Sequence, residues 1–223
     1  MEQITSGERI ADRYVLLERI GAGGFGREMF AAALESVGYG TEFTVAGFLD
    51  DNFAALDSFK NYPPILGSLK DYEIKENDVF ITALGSVKTR KKCVQAIEAR
   101  GGRFISIIHR SATVGPNVEI GEGSFLAPNT TLTADIKVGR HSCVFHNSSI
   151  GHDSVLGDFT HVYAQCAIGG AVVMSAGSVV YPGSVVTPRR KIGEGAVVGA
   201  MSAVFTDVPD NVTVFGNPAK ELS

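Results

Sequence analysis

Histidine side chains cluster in the middle of this sequence. Four of the five histidines in the 223-residue chain, His141, His146, His152 and His161, lie within 21 positions of one another. An unperturbed imidazole pKa of about 6.5 makes histidine the side chain best suited to exchange protons near neutral pH, and imidazole nitrogens also bind zinc. The cluster therefore indicates either a general base or a metal site.

One of these histidines is followed directly by a carboxylate, in the pair His152–Asp153. A carboxylate that accepts a hydrogen bond from one ring nitrogen fixes the tautomer and leaves the other nitrogen free to take a proton. The pair is therefore a candidate base with its orienting group. The structural alternative is a solvated polar pair at a turn.

A glycine-rich stretch, RYVLLERIGAGGFG, lies near the N-terminus. Gly21, Gly23 and Gly26 satisfy G-x-G-x-x-G, a spacing found both in dinucleotide-binding folds and over the ATP phosphates of protein kinases. A kinase needs a strand lysine soon after the loop, whereas the next lysine here is Lys60. The sequence also reads HRS and DFT where the kinase motifs are HRD and DFG, so a kinase is excluded.

Dinucleotide binding and simple strand–helix packing remain open for this loop. Asp50 follows Gly26 by 24 residues, near the position of a ribose-binding acid. The α/β region is only about half the length of a full dinucleotide-binding domain, which argues against dinucleotide binding.

Short apolar runs alternate with helical patterns in the first half of the chain. Such alternation predicts a small, Rossmann-like α/β domain with a parallel sheet. The strand candidates are VLLERI (15–20), FTVAGFLDD (43–51), DVFITALG (78–85) and RFISII (103–108), and the helix candidates are FGREMFAAALESVG (25–38) and KTRKKCVQAIEARG (88–101).

The second half repeats every six residues. Sixteen aliphatic anchors follow one another at this spacing without a break. Eight of the sixteen positions after the anchors are glycine, as expected where the chain turns, and small residues prevail four positions after the anchors. Such units bury their anchors only by stacking, which predicts a parallel β-helix of hexapeptide repeats. The anchors are Val114, Ile120, Leu126, Leu132, Val138, Val144, Ile150, Leu156, Val162, Ile168, Met174, Val180, Val186, Ile192, Val198 and Val204.

Composition excludes several classes of protein. The formal net charge is −4 and no basic run makes a nucleic-acid footprint. Three scattered cysteines favour a reducing compartment over a disulfide framework. No apolar run is long enough for a membrane span, and the first residues lack the apolar core of a signal peptide, so a cytoplasmic location is expected.

An α/β domain followed by hexapeptide coils resembles the bacterial sugar acyltransferases of the left-handed β-helix class. That family contains sialic acid O-acetyltransferases and UDP-4-amino-sugar N-acetyltransferases of surface-glycan synthesis. The segments that carry the resemblance are GAGGFGRE, FLDD, ALG-x-x-x-x-RKK, IIHRSA, SIGHDSVLGDFTHV and GNPAK.

The resemblance implies an acetyl-CoA-dependent acetyltransferase with an acceptor domain at 1–108 and a β-helix at 109–223. It also implies a homotrimer whose active sites lie between subunits. Transfer to the amino group of a nucleotide-linked sugar is the expected reaction, and O-acetylation of a sugar or sialic acid is the alternative. In this sequence Phe145 and His146 stand where many members carry an Asn–Thr pair.

The resemblance also implies roles for individual residues. His152 is the expected catalytic base and Asp153 its orienting carboxylate. Coenzyme A contacts are expected from His161, from the backbone N–H of Gly169 or Gly170, and from the cations of Arg189, Arg190, Lys191 and Lys220, for which solvated turns are the alternative. The acceptor is expected at Gly21, Gly23, Gly24, Phe25, Gly26, Asp50, Asp51, Gly85 and Arg90.

Two alternatives belong to other functional classes. One is a zinc-dependent lyase of the β-helical carbonic anhydrase type, for which His141 and His146 are five residues apart and His109 is the only histidine upstream. The preferred interpretation includes no metal. The other is a non-catalytic, nucleotide-binding scaffold, against which His152 argues.

Overall fold

The computed structural model describes residues 13–17 and 23–222, with side chains from residue 23 onward. Gly21, and also Glu18 and Arg19 of the predicted first strand, lie outside the described residues. No helix in the described part of the chain is long and apolar enough to cross a membrane.

The N-terminal sheet has five parallel strands, which confirms the predicted α/β domain. They lie in the order β3-β2-β1-β4-β5, so the chain moves outward from β1 and then returns to build the other side of the sheet. This reversal puts a topological switch point between β1 and β4. The strands are β1 (Arg13–Leu17), β2 (Val45–Leu49), β3 (Ile65–Gly67), β4 (Asp78–Thr82) and β5 (Arg103–Phe104).

Two helices follow the two strands at the switch point. Helix α1 (Gly24–Leu34) starts after Gly23, whose φ of 62° is a left-handed conformation that glycine adopts without strain. Helix α2 (Val87–Glu98) is capped by Ser86, whose Oγ accepts from the Thr89 N–H at 3.3 Å. Because both helices begin at the carboxyl ends of neighbouring strands, their N-termini share one edge of the sheet.

The sequence pattern differs from this sheet in two places. Strand β3 was not predicted, since only three residues pair at the sheet edge after Pro63 and Pro64. The predicted strand at 103–108 divides into two: Arg103–Phe104 joins the sheet, whereas Ile107–Ile108 pairs with the β-helix. The first strand of the β-helix, Ile107–Ile108, thus lies just before the predicted domain boundary at residue 108. The boundary itself remains a prediction.

The rest of the chain forms a parallel β-helix with three faces, and the predicted left-handed β-helix is confirmed. The first face contains β6 (Ile107–Ile108), β9 (Phe125–Leu126), β12 (Cys143–Val144), β15 (His161–Val162), β18 (Val179–Val180), β21 (Val197–Val198), β23 (Thr213–Phe215) and β24 (Lys220–Glu221). The second contains β7 (Thr113–Val114), β10 (Thr131–Leu132), β13 (Ser149–Ile150), β16 (Ala167–Ile168), β19 (Val185–Val186) and β22 (Ala203–Val204). The third contains β8 (Glu119–Ile120), β11 (Lys137–Val138), β14 (Val155–Leu156), β17 (Val173–Met174) and β20 (Lys191–Ile192).

The predicted anchors form the interior column of the β-helix. All are buried except Val114 and Ile120, which lie in the first coil where no further coil covers them. Each fully buried aliphatic side chain contributes about 1.5–3 kcal/mol. The small residues four positions after the anchors fill the corners, as in Ser142, whose Oγ donates to the Gly157 carbonyl at 2.9 Å.

The glycines after the anchors have a different role from the one expected. The chain turns through a positive φ two residues later, at positions such as Asp153 (60°) and Ala171 (55°). At Gly151 the reason for glycine is close approach, because an added Cβ would lie 2.5 Å from the Gly170 nitrogen of the next coil. These glycines therefore allow coils to stack and do not supply the turn.

The α/β domain packs against the first face of the β-helix. Phe125, Cys143 and Phe145 point outward from that face and are buried in one apolar cluster with Met29 and Phe48. Phe25 at the start of α1 contacts Phe145, and Gly85 before α2 faces Tyr163, so both helix N-termini lie against the first face.

Candidate functional site

His152 and Asp153 occupy the corner between the second and third faces. The His152 Nδ1 lies 2.6 Å from the Asp153 Oδ2, and both side chains are about two-thirds exposed. Asp153 is the residue with positive φ at this corner, so the turn itself brings its carboxylate beside the preceding imidazole. An ionised carboxylate can only accept, so Nδ1 is the donor in this contact. In the neutral imidazole, Nε2 then carries no proton and can accept one.

An open cavity of about 520 Å³ surrounds this pair. It is lined by the same corner in three successive coils, namely His152 and Asp153, Gly170 and Ala171, and Pro188 and Arg189. An added Cβ on Gly170 would lie 2.7 Å from the His152 Nε2. Gly170 is the only glycine at its repeat position, two residues after an anchor, between 116 and 200.

The two glycines predicted to support an oxyanion differ in the structure. The Gly169 N–H donates to the Val186 carbonyl at 2.9 Å within the coil ladder, so of the two alternatives it is not the one left free for a ligand. The Gly170 carbonyl accepts from Arg189, and its N–H donates to none of the described residues. Of the two glycines, only Gly170 therefore has a backbone N–H that is not used within the coil ladder.

The predicted phosphate-binding cations are not brought together. Arg189 lines the cavity, whereas Arg190 turns to the Pro188 carbonyl (3.2 Å) and to Asp207 (3.8 Å). Lys191 is exposed on the third face, and Lys220 lies on β24 of the first face. Of the four, only Arg189 lies at the cavity around His152.

A second candidate region lies at the switch point of the α/β sheet. Gly23, Gly24, Phe25 and Gly26 form the start of α1, and Gly85 precedes the start of α2 at the same edge of the sheet. Gly24 and Gly85 are exposed. In open α/β sheets ligands bind outside the carboxyl ends of strands at such a point, and helix N-termini favour anions. We call this region the crevice.

Asp50 and Asp51 follow β2 at the same edge. Asp50 is buried and its Oδ1 accepts from the Asn52 N–H at 2.8 Å, while burial raises the pKa of its carboxyl. Asp51 is exposed and lines a separate cavity of about 630 Å³ together with residues of the β3–β4 connection and of α2. The two aspartates therefore have different surroundings, and the cavity at Asp51 includes Ala96 and Arg100, near the C-terminal end of α2.

Arg90 was predicted to contact the acceptor, but the structure gives it a structural role. The side chain is fully buried on α2, and its Nη2 donates to the Phe159 carbonyl at 2.8 Å. Its Nη1 lies 3.3 Å from the Cys143 Sγ and 3.4 Å from the His161 Nδ1. Since Arg90 fastens α2 to the first face, no ligand reaches it in this structure.

His161 lies on the first face and is completely buried. Burial, and then the neighbouring Arg90 charge, hold the pKa of His161 well below its usual range. Its ring stacks on Tyr163 with centroids 4.7 Å apart. His152 lies at the corner between the other two faces, so a single chain does not combine these two histidines in one site.

The remaining histidines do not form a zinc site. The buried His141 ring lies between Phe104 and Phe159, and the His146 Nε2 lies 3.3 Å from the Glu28 Oε1 on α1. Among the described residues, no group of three His, Cys, Asp or Glu side chains is arranged to hold a metal ion. The zinc alternative therefore has no site in this part of the chain.

Sequence reasoning missed an aromatic column on the first face. Phe145, Tyr163 and Tyr181 stack in consecutive coils, with centroids 5.3 and 5.0 Å apart. The signal was available, because the three residues are 18 positions apart and each follows an anchor. A Cβ added to Gly85 would lie 3.8 Å from the Tyr163 hydroxyl, so the column faces the crevice.

Two family models match this chain. The PglD N-terminal domain matches residues 19–97, and the GMPPB C-terminal domain matches residues 103–202. No curated protein sequence matches the chain.

Solved structures match nearly the whole chain. WeeI from Acinetobacter baumannii AYE is 28% identical, with a TM-score of 0.81 over 94% of this chain and 100% of that one. The acetyltransferase domain of PglB from Neisseria gonorrhoeae FA1090 is 27% identical, with a TM-score of 0.80 over 95% of this chain and 100% of that one.

A third structure was solved with both of its ligands. It is a histidine-to-asparagine variant of perosamine N-acetyltransferase from Caulobacter crescentus in complex with CoA and GDP-perosamine. Its identity is 26% and its TM-score 0.79, over 94% of this chain and 96% of that one. By its coils, its N-terminal domain and these relatives, the chain fits the hexapeptide-repeat acetyltransferases of the left-handed β-helix class.

Proposed function

We propose that this protein transfers an acetyl group from acetyl-CoA to the amino group of a nucleotide-linked sugar, in the synthesis of a surface glycan. The observation that carries the proposal is the His152–Asp153 pair, whose free Nε2 faces the open cavity beside Gly170. The solved relatives support the reaction class, since perosamine N-acetyltransferase was crystallised with CoA and GDP-perosamine.

His152 is the proposed base. Its Nε2 takes a proton from the attacking amine as the nitrogen bonds to the acyl carbon and the carbon–sulfur bond breaks. The proton then passes to the departing thiolate, so the products are an amide and free coenzyme A. The amine attacks in its neutral form, after the extra proton of its ammonium form has been lost to solvent, and His152 removes only the proton that the nitrogen releases as the carbon–nitrogen bond forms.

Gly170 and Arg189 suit the acyl donor. The missing Cβ of Gly170 leaves room at the His152 Nε2, and its free N–H is the proposed donor to the oxygen that becomes negative during attack. Arg189 supplies a positive charge at the far end of the same cavity, which suits a phosphate of coenzyme A.

The crevice is the proposed site of the nucleotide. Two helix N-termini meet there, and their N–H groups favour a diphosphate. The exposed glycines Gly24 and Gly85 allow close approach of the ligand to the backbone.

A homotrimer would complete the active site. The crevice adjoins the first face of the β-helix, whereas His152 lies at the corner between the other two faces. A single chain therefore separates the base from the acceptor. We infer that the crevice of one subunit serves the His152 of its neighbour and that monomers are inactive.

The test is His152→Ala assayed for thiol release with acetyl-CoA and a panel of nucleotide-linked amino sugars and sialic acids. Loss of a general base lowers turnover by about a hundredfold or more. Near-normal turnover would refute the assignment. Mild alkali then identifies the product bond, because an ester is cleaved and an amide survives.

A further inference from the structure

The aromatic column on the first face carries hydroxyl groups only where it leaves the cover of the α/β domain. Phe145 is buried, Tyr163 is half-buried and Tyr181 is 40% exposed. The stacking ends in the next coil at Gly199, where the Phe215 ring from the following coil occupies the space that a side chain would fill. The two hydroxyl groups therefore lie where the rings are exposed to solvent or face the crevice. Stacking alone does not explain them, because phenylalanine would stack equally well.

The geometry of the column is rigid. The rings of Tyr163 and Tyr181 lie 6° from parallel, and those of Phe145 and Tyr163 lie 12° from parallel. His161 packs on Tyr163 at 19°. Since the backbone N–H of each ring residue donates to a carbonyl of the next coil, the column is a preformed surface for a ligand that meets its exposed edge and hydroxyls.

The column continues directly from the crevice. The Tyr163 hydroxyl faces Gly85 at the start of α2, and Phe25 at the start of α1 contacts Phe145 with centroids 5.0 Å apart. A diphosphate held by the two helix N-termini would carry its second substituent outward, toward the exposed part of the column. For a nucleotide-linked sugar, that substituent is the sugar.

We propose that Tyr163 and Tyr181 form the sugar subsite of the acceptor. The ring edges contact the apolar C–H groups of the pyranose, and the two hydroxyls bond to its polar substituents. A phenol is protonated at neutral pH and burial raises the pKa of Tyr163 further, so its hydroxyl can both donate and accept. This inference rests on the proposed function for the class of ligand, and the residues act in binding and selectivity, not in proton transfer.

The experiment compares a nucleoside diphosphate with the same nucleotide carrying an amino sugar. Isothermal titration calorimetry measures each Kd, because the variants remove tyrosines and would change a tyrosine fluorescence signal even if binding were unchanged. UDP, GDP and dTDP and their amino-sugar conjugates are titrated into wild type, Tyr163→Phe and Tyr181→Ala. Tyr39→Phe is the matched control, because Tyr39 lies beyond the other end of α1.

The variants should bind the nucleoside diphosphates as wild type does and bind the sugar conjugates more weakly. A lost hydroxyl contact should raise the Kd about threefold to tenfold, and loss of the Tyr181 ring by tenfold or more. The acceptor KM should rise in parallel while the acetyl-CoA KM stays unchanged.

Three results would overturn the inference. They are unchanged sugar affinity in both variants, an equal loss of affinity for the bare diphosphates, and a shift that falls on the acetyl-CoA KM. A wild type that binds the conjugates through the column but transfers no acetyl group would leave this subsite standing and remove the proposed function instead.

Discussion

At the scale of single residues, the environment of the His152 imidazole follows from two neighbours. Asp153 engages Nδ1 at 2.6 Å, and Gly170 leaves open the space in front of Nε2. The first neighbour is adjacent in sequence and the second lies one coil away. Filling the space in front of Nε2 with a larger side chain at position 170 should therefore impair His152 as a base and leave the fold intact.

Gly170→Ala is expected to lower turnover tenfold to a hundredfold, because the new Cβ would lie 2.7 Å from the His152 Nε2 and force the ring to move. The free energy of unfolding should change by less than about 0.5 kcal/mol. Ala134 and Ala176 already occupy the same repeat position in other coils, which shows that the backbone accepts alanine there. Steady-state kinetics with urea unfolding check both parts, and full activity would contradict the geometry.

His141 gives the stability of the protein a pH dependence. Burial lowers its pKa from 6.5 to about 4, so the unfolded chain binds a proton more readily than the folded one. The stabilisation is complete above pH 6.5 and is lost as the pH falls toward 4, in total on the order of 3 kcal/mol. His161, whose pKa is also lowered, acts in the same direction.

His141→Phe should flatten this dependence between pH 6.5 and 4. Phenylalanine is accommodated at the equivalent corner of the next coil, where Phe159 has a φ of 59°. Urea unfolding across this pH range, compared with His146→Asn as a control, measures the effect. An unchanged difference in stability between wild type and variant at all pH values would show that His141 does not carry it.

At the scale of elements, helix α2 depends on one buried cation. The Arg90 guanidinium contacts Cys143 and His161 on the first face and Phe159 at the corner before it, and none of these groups is a carboxylate. Burying a guanidinium without an opposite charge is expensive, and an apolar side chain of similar volume often replaces such a group at little cost.

Arg90→Met should therefore retain stability to within about 1 kcal/mol, because it fills the same space without a charge. Arg90→Ala should lose about 3 kcal/mol or more, because it leaves a cavity between α2 and the coils. Chemical unfolding distinguishes the two. Equal losses in both variants would mean that the hydrogen bonds, and not the filled volume, hold α2 in place.

At the scale of the whole molecule, the crevice and the His152 cavity lie on different sides of the β-helix. If active sites form between subunits, a His152→Ala subunit and a subunit with a blocked crevice should complement each other. Gly85→Leu blocks the crevice, and Gly85→Ala is its control, since a Cβ there meets the Tyr163 hydroxyl at an ordinary 3.8 Å.

Each variant alone should be inactive, and co-expression should restore about a quarter of wild-type activity, because a quarter of randomly formed interfaces combine both intact halves. Sedimentation analysis checks that mixed oligomers form, and thiol release measures activity. Mixed oligomers without any recovery would indicate that each chain uses its own base and crevice.

The repeat was predictable because it is a local pattern with a strict period. Each coil places its anchor inside and its third following residue in the turn, so the column from Leu126 to Val204 could be read from spacing alone. The two-residue strands and strand β3 could not be predicted from the sequence. Strands this short form because a neighbouring strand is available to pair with, and not because of the strand propensity of their residues.

The sequence by itself determined the two-part architecture and the His152–Asp153 pair, because repeat spacing and adjacency are properties of the chain. Only the tertiary structure decided that Arg90 and His161 are buried, that Gly170 and not Gly169 offers its N–H, and that Tyr163 faces Gly85. The physical reason differs between them: the Gly169 N–H is taken up by hydrogen bonding between coils, whereas the other outcomes depend on which outward positions the α/β domain covers. That cover joins residues 53 to 78 positions apart, such as Arg90 with Cys143 and Gly85 with Tyr163, which no local pattern encodes.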